Sequence, residues 1–154
     1  GKRIWFFATG TGFAPFASLL REPQTYEDYD EVIITHTCRE VGELTYGADL
    51  IESLKHDELL NEVIGEGFWK KIKYYPTTTR EESPKMGRIT DLMKSGEAFT
   101  DLDVPPLNPD TDRAMICGSM AMLRDTKALC LEHGMTEGAN NKPGEFVVER
   151  AFVD

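Results

Sequence analysis

The amino-acid sequence predicts an α/β fold: a doubly wound, parallel, five-stranded sheet between two layers of helices, which makes a three-layer α/β/α domain. Three observations lead to this prediction. Short apolar runs alternate with segments of helical spacing, as in strands joined by crossover helices. Two of those runs end in glycine turns that open into helices. The 154 residues, 40% of them hydrophobic, suit one compact domain with a sizeable core.

Five short segments have the composition of buried parallel strands, because they are nearly continuous in apolar or β-branched residues. The clearest is RIWFFA over residues 3–8, which two glycines follow closely. The remaining predicted strands cover residues 31–37, 71–78, 114–117 and 145–149. In an open parallel sheet, ligands bind outside the carboxyl ends of such strands.

Helical spacing of apolar residues predicts the elements between the strands. The predicted helical segments cover residues 15–21, 43–64, 89–94 and 120–133. Pro15 is tolerated in a first turn, and we expect a break near residues 56 and 57. Gly96, in the left-handed conformation, and Gly134 would end the last two helices. Three prolines and several aspartates predict a surface loop over residues 100–112.

Composition argues against several classes of protein. With 17 basic and 27 acidic side chains, the formal net charge is −10, whereas a sequence-independent nucleic-acid binder needs positive charge to neutralise phosphates. No apolar run reaches the roughly 18 residues of a membrane span. The three cysteines form no C-x-x-C pair, so neither a metal site nor a disulfide framework is predicted. Reduced thiols and no leader peptide lead us to expect a cytoplasmic protein.

Charge is unevenly distributed along the chain. Residues 70–88, the basic segment, carry six basic side chains against Glu81 and Glu82, a net charge of +4 in an acidic sequence. This segment predicts one surface that faces an anion. A solvated lysine-rich loop is an equal alternative for residues 70–73.

The first glycine turn, ATGTGFAP over residues 8–15, is a candidate anion site. Gly10 and Gly12 allow a sharp turn and a close approach of the backbone to a ligand, and the helix N-terminus behind them favours an anion. The turn lacks the third glycine of the dinucleotide fingerprint, since Pro15 occupies that place. Tight turns of this kind also occur without any ligand.

The second glycine turn, CGSM over residues 117–120, leaves its strand in the same way and should open onto the same edge of the sheet. Two glycine turns that converge on one edge favour a nucleotide-binding domain. Cys117 taken alone has another interpretation, a small buried apolar residue.

Residues at the strand ends indicate which nucleotide would bind. NAD sites commonly place an acid after the second strand to hold the ribose 2′-hydroxyl, but residues 35–39 (THTCR) contain none. Arg39, and Arg80 at the end of the third strand, are suited instead to a bidentate pair with a 2′-phosphate. They favour NADP over NAD. Arg39 alone could also form a surface ion pair with Glu40 or Glu43.

Six short motifs occur in order along the chain. They are ATGTGFAPF at 8–16, THTCR at 35–39, TTTRE at 77–81, GRITDL at 87–92, CGSM at 117–120 and VVERAFV at 147–153. Together they resemble the NADP-binding domain of bacterial ferredoxin/flavodoxin–NADP reductases from about Lys2 to the end of the chain. An ordered set of motifs is far more specific than either glycine turn.

This resemblance implies that residues 1–154 are the NADP(H)-binding domain of a two-domain flavoprotein oxidoreductase. An N-terminal barrel that binds FAD belongs to the family and is absent from these residues. In the family, a hydride passes between NADPH and FAD, and the flavin exchanges electrons with ferredoxin or flavodoxin. The chain alone would supply half of the active site, so we expect it to be inactive without the FAD domain.

The resemblance also implies roles for individual residues. The pyrophosphate would meet Thr9, Gly10, Thr11 and Gly12. The 2′-phosphate would meet Arg39 and Arg80. The nicotinamide pocket would be bounded by Cys117 and Gly118, with Ser119 beside them as a further cofactor contact. Cys117 would hold the reacting carbon near the flavin, and no thiolate nucleophile is required.

The last residues depart from the plant-type members of the wider family, which end in Glu-x-Tyr with the tyrosine on the flavin ring. Here Glu149 is followed two residues later by Ala151, in the tyrosine position, and then by Phe152 and two more residues. This ending resembles the bacterial subclass. It implies that Glu149 lies beside the hydride-transfer site and that Ala151 and Phe152 belong to a tail that gates it. A solvated carboxylate is the other interpretation of Glu149.

Two further functions stay open at this point. The chain could be the NAD(P)H domain of another flavin reductase, of the flavohaemoglobin, cytochrome b5 reductase or oxygenase reductase type, although Arg39 and Arg80 disfavour the NAD-preferring relatives. It could also be a non-catalytic nucleotide-sensing module. An FAD-binding barrel directly upstream would exclude the second.

Overall fold

The computed structural model describes residues 2–138 and 142–149, and they have the predicted α/β fold. Within them, five strands form one sheet in the order β3-β2-β1-β4-β5, and every neighbouring pair is parallel. The strands are β1 (Arg3–Thr9), β2 (Glu31–Cys38), β3 (Ile72–Thr78), β4 (Asp112–Cys117) and β5 (Phe146–Glu149). All five predicted strands are confirmed. The strand order reverses between β1 and β4, which is the switch point of a doubly wound sheet.

Helices cover both faces of the sheet. They are α1 (Phe13–Leu20), α2 (Pro23–Asp28), α3 (Thr45–Leu54), α4 (Glu58–Val63), α5 (Ile89–Ser95), α6 (Glu97–Leu102) and α7 (Met120–Glu132), with 3-10 turns at Gly10–Gly12, Val41–Leu44 and Phe68–Lys71. The expected break between α3 and α4 is present because the Asp57 carboxylate accepts the Leu60 N–H at 3.0 Å and caps α4. Gly96 ends α5 in the left-handed conformation, at φ 88°. In the described part of the chain, every helix is too short or too polar to cross a membrane.

Alternating side chains of β1 build a core on each face of the sheet. Ile4 and Phe6 pack with α1 to α4, and Phe6 stacks on Phe16 with ring centroids 4.8 Å apart. Trp5 and Phe7 pack with α5 to α7 on the opposite face. One core therefore lies on each face of the sheet, between the sheet and a layer of helices, which gives the predicted three layers.

The predicted loop over residues 100–112 is wrong at its beginning, because residues 100–102 complete α6. Ala98, Phe99 and Leu102 are all buried against the sheet. Phe99 places its ring edge on Trp5, with the centroids 5.8 Å apart. Burial of this apolar face therefore stabilises a helix that the aspartates and prolines nearby do not indicate.

Helix α2 is absent from the sequence prediction. Its sequence is mostly polar and lacks a helical apolar pattern, but two of its residues, Thr25 and Tyr26, are buried. The Thr25 hydroxyl donates a hydrogen bond of 2.8 Å to the Leu19 carbonyl, and the Tyr26 hydroxyl donates to the Leu20 carbonyl. These bonds close α2 onto the end of α1, which only the folded chain brings into place.

Strand β3 forms one edge of the described sheet and contains Pro76, opposite His36 of β2. Two lysines of the basic segment lie near its amino end. Lys71 Nζ donates to the Tyr26 carbonyl at 2.9 Å, and Lys73 Nζ lies 3.0 Å from Glu31 Oε2. Of the two interpretations left open for residues 70–73, the anion-facing surface does not apply to these two lysines, because they lie at the opposite end of β3 from Arg80 and contact the Tyr26 carbonyl and Glu31.

Asp112 is a fully buried carboxylate at the start of β4. It accepts hydrogen bonds from Arg3 Nε at 2.9 Å, from Trp5 Nε1 at 3.3 Å and from Thr111 Oγ1 at 3.0 Å. A buried charge is tolerated only where such partners replace water. Asp112 therefore ties the amino ends of β1 and β4 together.

Replacing Asp112 by alanine should lower the free energy of unfolding by about 3–5 kcal/mol, because it removes the nearer carboxylate of Arg3, leaving only Glu31 at 3.5 Å, and leaves the buried Trp5 N–H without its acceptor. Urea unfolding monitored by tryptophan fluorescence measures this. Glu52→Ala is the matched control: Glu52 is 66% exposed in its pair with Lys55, so its loss should cost less than about 1 kcal/mol. Equal losses in the two variants would contradict the assigned role of Asp112.

Candidate functional site

A cleft of about 850 Å³ opens at the carboxyl ends of the central strands. It is lined by both glycine turns, by the end of β2 and by the segment between β3 and α5. The sequence-predicted site residues that it brings together are Thr9, Gly10, Gly12, Arg39, Arg80, Gly118 and Ser119. This is the edge at which open parallel sheets bind ligands.

The two glycine turns press directly against each other. The Ser119 N–H donates a hydrogen bond of 3.0 Å to Thr9 Oγ1. A Cβ on Gly12 would lie 2.3 Å from the Cys117 carbonyl oxygen, and a Cβ on Gly118 would lie 2.1 Å from Thr9 Oγ1. Packing between the two turns therefore requires Gly12 and Gly118. For Gly12 this reason differs from the one that the sequence suggests, which is close approach of the backbone to a ligand.

Gly10 has a different requirement. Its φ is +48°, in the left-handed region, and a Cβ there would meet no atom within 4 Å. Gly12 is the N-cap of α1 and offers no side chain to the first amide groups of that helix. Those amides, with the positive end of the helix dipole, suit an anion.

Ser119 caps the other helix that begins at the cleft. Its Oγ accepts the Met122 N–H at 3.3 Å and so satisfies one amide at the start of α7. Of the two helices that begin at the glycine turns, α1 is thus the one whose first amides lack a side-chain cap.

Backbone hydrogen bonds hold Arg39 and Arg80 side by side. The Arg80 N–H donates to the Arg39 carbonyl at 3.0 Å, and the Thr79 N–H donates to the Cys38 carbonyl at 3.0 Å. Both arginines are exposed and line the cleft. The ends of β2 and β3 therefore place two guanidinium groups on one wall.

Neither guanidinium forms an ion pair within residues 2–138 and 142–149. The nearby carboxylates are engaged elsewhere. Glu43 Oε1 accepts the Glu40 N–H at 3.2 Å in a capping box, and Glu81 Oε1 accepts the Val41 N–H at 3.1 Å. The alternative of an Arg39 pair with Glu40 or Glu43 is therefore not found there, and the positive charge stays available to an anion.

Arg88 is a third cation at the cleft, and the sequence analysis did not single it out as a site residue. It is exposed, directly precedes α5, and forms no ion pair in the described part of the chain. The excess charge of the basic segment is the pattern that indicates it. Lys85 of the same segment instead pairs with Glu97 at 2.7 Å and Asp101 at 2.9 Å.

Cys117 is completely buried in the core on the α1 face and is not part of the cleft lining. In the β4–β5 register it lies directly opposite Glu149, so the two candidate catalytic residues are neighbours across the sheet. The side chains of Glu149 and Thr11 are outside the described structure, although their backbones belong to β5 and to the first glycine turn. Ala151 and Phe152 lie outside the described residues altogether.

Comparison with known proteins supports a dinucleotide site. The profile of the oxidoreductase NAD-binding domain family matches residues 6–128. The flavodoxin/ferredoxin–NADP reductase of Rhodobacter capsulatus is 59% identical over 153 residues, which are 99% of this chain and 55% of that protein. Ferredoxin–NADP reductase A of Sorangium cellulosum is 48% identical, over 99% of this chain and 54% of its own length. The chain thus spans about half the length of the curated relatives it matches, and the resemblance found in the motifs is confirmed.

Two solved structures have the same fold as this chain. A crystal structure of a ferredoxin NADP⁺ reductase from Neisseria gonorrhoeae, with bound FAD and NADP, matches with a TM-score of 0.81 at 29% identity, over 99% of this chain and 57% of that one. A flavohaemoglobin from Malassezia yamatoensis matches with a TM-score of 0.64 at 19% identity, over 97% of this chain and 32% of its own. The second likeness concerns the fold alone.

Gly12→Ala should lower the free energy of unfolding by about 1–3 kcal/mol, because the new methyl group meets only backbone atoms, which cannot rotate away. Gly42→Ala is the control: a Cβ there meets nothing within 4 Å, so its effect should stay within about 0.5 kcal/mol. Urea unfolding midpoints measure both. A Gly12 variant as stable as the Gly42 variant would show that the turns can separate without cost.

Proposed function

We propose that this chain, which belongs to the oxidoreductase NAD-binding domain family, is the NADP(H)-binding half of a ferredoxin- or flavodoxin–NADP reductase. The observation that carries the proposal is that Arg39 and Arg80, which form no ion pair among the described residues, line the same cleft as two packed glycine turns. No acid occupies the place where an NAD site holds its ribose.

The cleft fits an extended dinucleotide phosphate. The uncapped amides at the start of α1 suit the pyrophosphate, and Arg39 and Arg80, with Arg88 near them, suit the 2′-phosphate. A volume of about 850 Å³ lies in the range of cofactor sites. Thr9, Gly118 and Ser119 then bound the end of the cleft where the nicotinamide would lie.

We further propose that residues 1–154 follow an FAD-binding domain in the complete enzyme. Four curated relatives at 43–59% identity are reductases of about twice this length, and the relative from Neisseria gonorrhoeae holds FAD and NADP together. When bound, the flavin exchanges a hydride with the nicotinamide and single electrons with ferredoxin or flavodoxin. A cytoplasmic location is part of the proposal and rests on the cysteine usage of the sequence.

For the reaction itself we propose positioning roles. Cys117, the first residue of the second glycine turn, is buried in the core on the α1 face and would support the nicotinamide from that side. Glu149, its neighbour across β4 and β5, would bring a carboxylate to the same end of the sheet. The tail with Ala151 and Phe152 would meet the flavin, as the resemblance to the bacterial subclass implies.

The chain should bind NADP⁺ at least about tenfold more tightly than NAD⁺. Arg39→Ala and Arg80→Ala should each weaken NADP⁺ binding by about tenfold or more, because a charge-assisted hydrogen bond contributes about 1.5–3 kcal/mol. NAD⁺ binding should stay nearly unchanged, and titration calorimetry measures both. Arg21→Ala, at the end of α1, is the matched control and should bind both nucleotides normally. Equal affinities of the unaltered chain for NADP⁺ and NAD⁺ would rule out the proposed specificity.

In the full-length reductase, Cys117→Ala should slow flavin reduction by NADPH by about tenfold to a hundredfold, since a displacement near 1 Å has effects of that size. The NADP⁺ dissociation constant should change less than about twofold. Stopped-flow absorbance measures the first quantity and calorimetry the second. Cys130→Ala is the control, a buried cysteine in the opposite core that should affect stability alone. Flavin reduction at the rate of the unaltered enzyme would make Cys117 a residue of the core only.

A further inference from the structure

We infer that His36 is a positioning residue that fixes the orientation of the first glycine turn and thereby its affinity for the pyrophosphate. The inference rests on the proposed NADP(H) function and assigns a role to His36, which belongs to the THTCR motif but was not among the candidate site residues. His36 lies within β2, is buried, and does not line the cleft. Its contacts nevertheless connect the Gly10 carbonyl of the turn with α1, α3 and the end of β2.

The first contact is with the backbone of the turn. His36 Nε2 lies 3.0 Å from the Gly10 carbonyl oxygen. Because a carbonyl oxygen only accepts, Nε2 must carry the hydrogen and donate it. Burial lowers the pKa of His36, against smaller opposing effects of the Gly10 carbonyl and the Glu43 carboxylate. A neutral ring with its hydrogen on Nε2 satisfies this bond.

On the opposite side of the ring, His36 Nδ1 lies beside Gly47 of α3, which the Tyr74 hydroxyl of β3 also approaches. A Cβ on Gly47 would lie 3.0 Å from His36 Nδ1 and 2.7 Å from Tyr74 Oη, so both atoms converge on one point that only glycine leaves open. Burial also raises the pKa of the Tyr74 phenol, which keeps its hydrogen. His36 Nδ1 and Tyr74 Oη are both buried, and neither has a hydrogen-bond partner among the described residues, so the bond from Nε2 to Gly10 is the one that orients the ring.

Two more contacts connect His36 to elements that surround the cleft. The Phe13 ring, at the first residue of α1, lies 4.7 Å from the His36 ring between centroids. Cys38 Sγ, one residue before Arg39, lies 3.3 Å from His36 Nε2. His36 therefore touches the turn before the pyrophosphate site, the helix that follows it, and the strand end that carries a phosphate-binding arginine.

Peptide geometry explains why the bond to Gly10 matters. All peptides of the described chain are trans, so the N–H of Thr11 points opposite to the Gly10 carbonyl. With the carbonyl held inward by His36, that N–H points away from β2, on the side of the cleft that Gly10 lines. Glycine accepts either sign of φ, and Gly10 has open space around it. Without His36 this peptide could turn over and present a carbonyl oxygen to an anion.

The test compares two ligands on the same variants of the chain by titration calorimetry. NADP⁺ contains the pyrophosphate, whereas adenosine 2′-phosphate contains only the 2′-phosphate. His36→Phe keeps a ring of similar size and removes the donor, so NADP⁺ binding should weaken about tenfold while adenosine 2′-phosphate binding changes less than about twofold. His36→Gln keeps an N–H donor and should restore NADP⁺ binding to within about threefold of the unaltered chain.

A second variant keeps the test informative if His36→Phe does not fold. Gly47→Ala places a methyl group against Nδ1 and should displace the ring, so it should weaken NADP⁺ binding and spare adenosine 2′-phosphate. Gly42→Ala, in the 3-10 turn just before α3, is its control and should bind both ligands normally. Urea unfolding of each variant separates loss of stability from loss of affinity.

The possible results separate the inference from the function on which it rests. Unaltered NADP⁺ affinity in His36→Phe and Gly47→Ala, with normal binding by the parent chain, overturns the role of His36 and leaves the proposed function intact. An equal loss of both ligands in these variants also overturns it, because it indicates general disruption. Failure of the parent chain to bind NADP⁺ overturns the proposed function and the inference with it.

Discussion

The geometry of the cleft depends on backbone contact between two strand ends. Gly12 and Gly118 let the turns after β1 and β4 approach until side chains no longer fit between them, and the Ser119–Thr9 hydrogen bond closes the contact. These strands are neighbours at the centre of the sheet, with Ala8 opposite Cys117. The starts of α1 and α7 are consequently fixed relative to each other. The end of β2 and the segment between β3 and α5 complete the lining of the cleft.

The charged lining of the cleft is mixed, because three acids, Glu43, Asp91 and Asp125, stand beside its three arginines. Glu43 and Glu81 lie within reach of the arginine-bearing strand ends, yet each accepts a backbone N–H of the β2–α3 connection. Such caps stabilise the connection and leave the guanidiniums without an internal partner among the described residues. Neutralising Arg39 within the protein would have removed the charge that distinguishes a phosphate from a hydroxyl group. The net charge of −10 therefore says little about this cleft.

The local pattern of apolar residues was sufficient to predict the strands. It also predicted that Arg39 and Arg80 lie close together, because the carboxyl ends of parallel strands share one edge of the sheet. Local pattern was insufficient for α6, because the aspartates and prolines around it indicate a loop, whereas burial of Ala98, Phe99 and Leu102 against the core stabilises a helix. The local pattern also misled for the basic segment. Its two ends lie at opposite ends of β3, which is seven residues long and rises about 3.3 Å per residue, so Lys71 and Arg80 are far apart. His36 lies inside the THTCR motif, but that motif does not indicate its role, because the role depends on Gly10 and Gly47, which are distant in sequence.

Pro76 gives the exposed side of β3 a property unrelated to nucleotide binding. An edge strand offers unpaired backbone groups that can recruit a strand from another molecule and begin aggregation. A proline has no N–H to offer, and the Lys73 side chain adds a charge to the same strand. The strand that leads to Arg80 is thus also protected against edge-to-edge pairing, by Pro76 in its middle and by the backbone of Lys85 and Gly87, which pairs with Thr78 at its end.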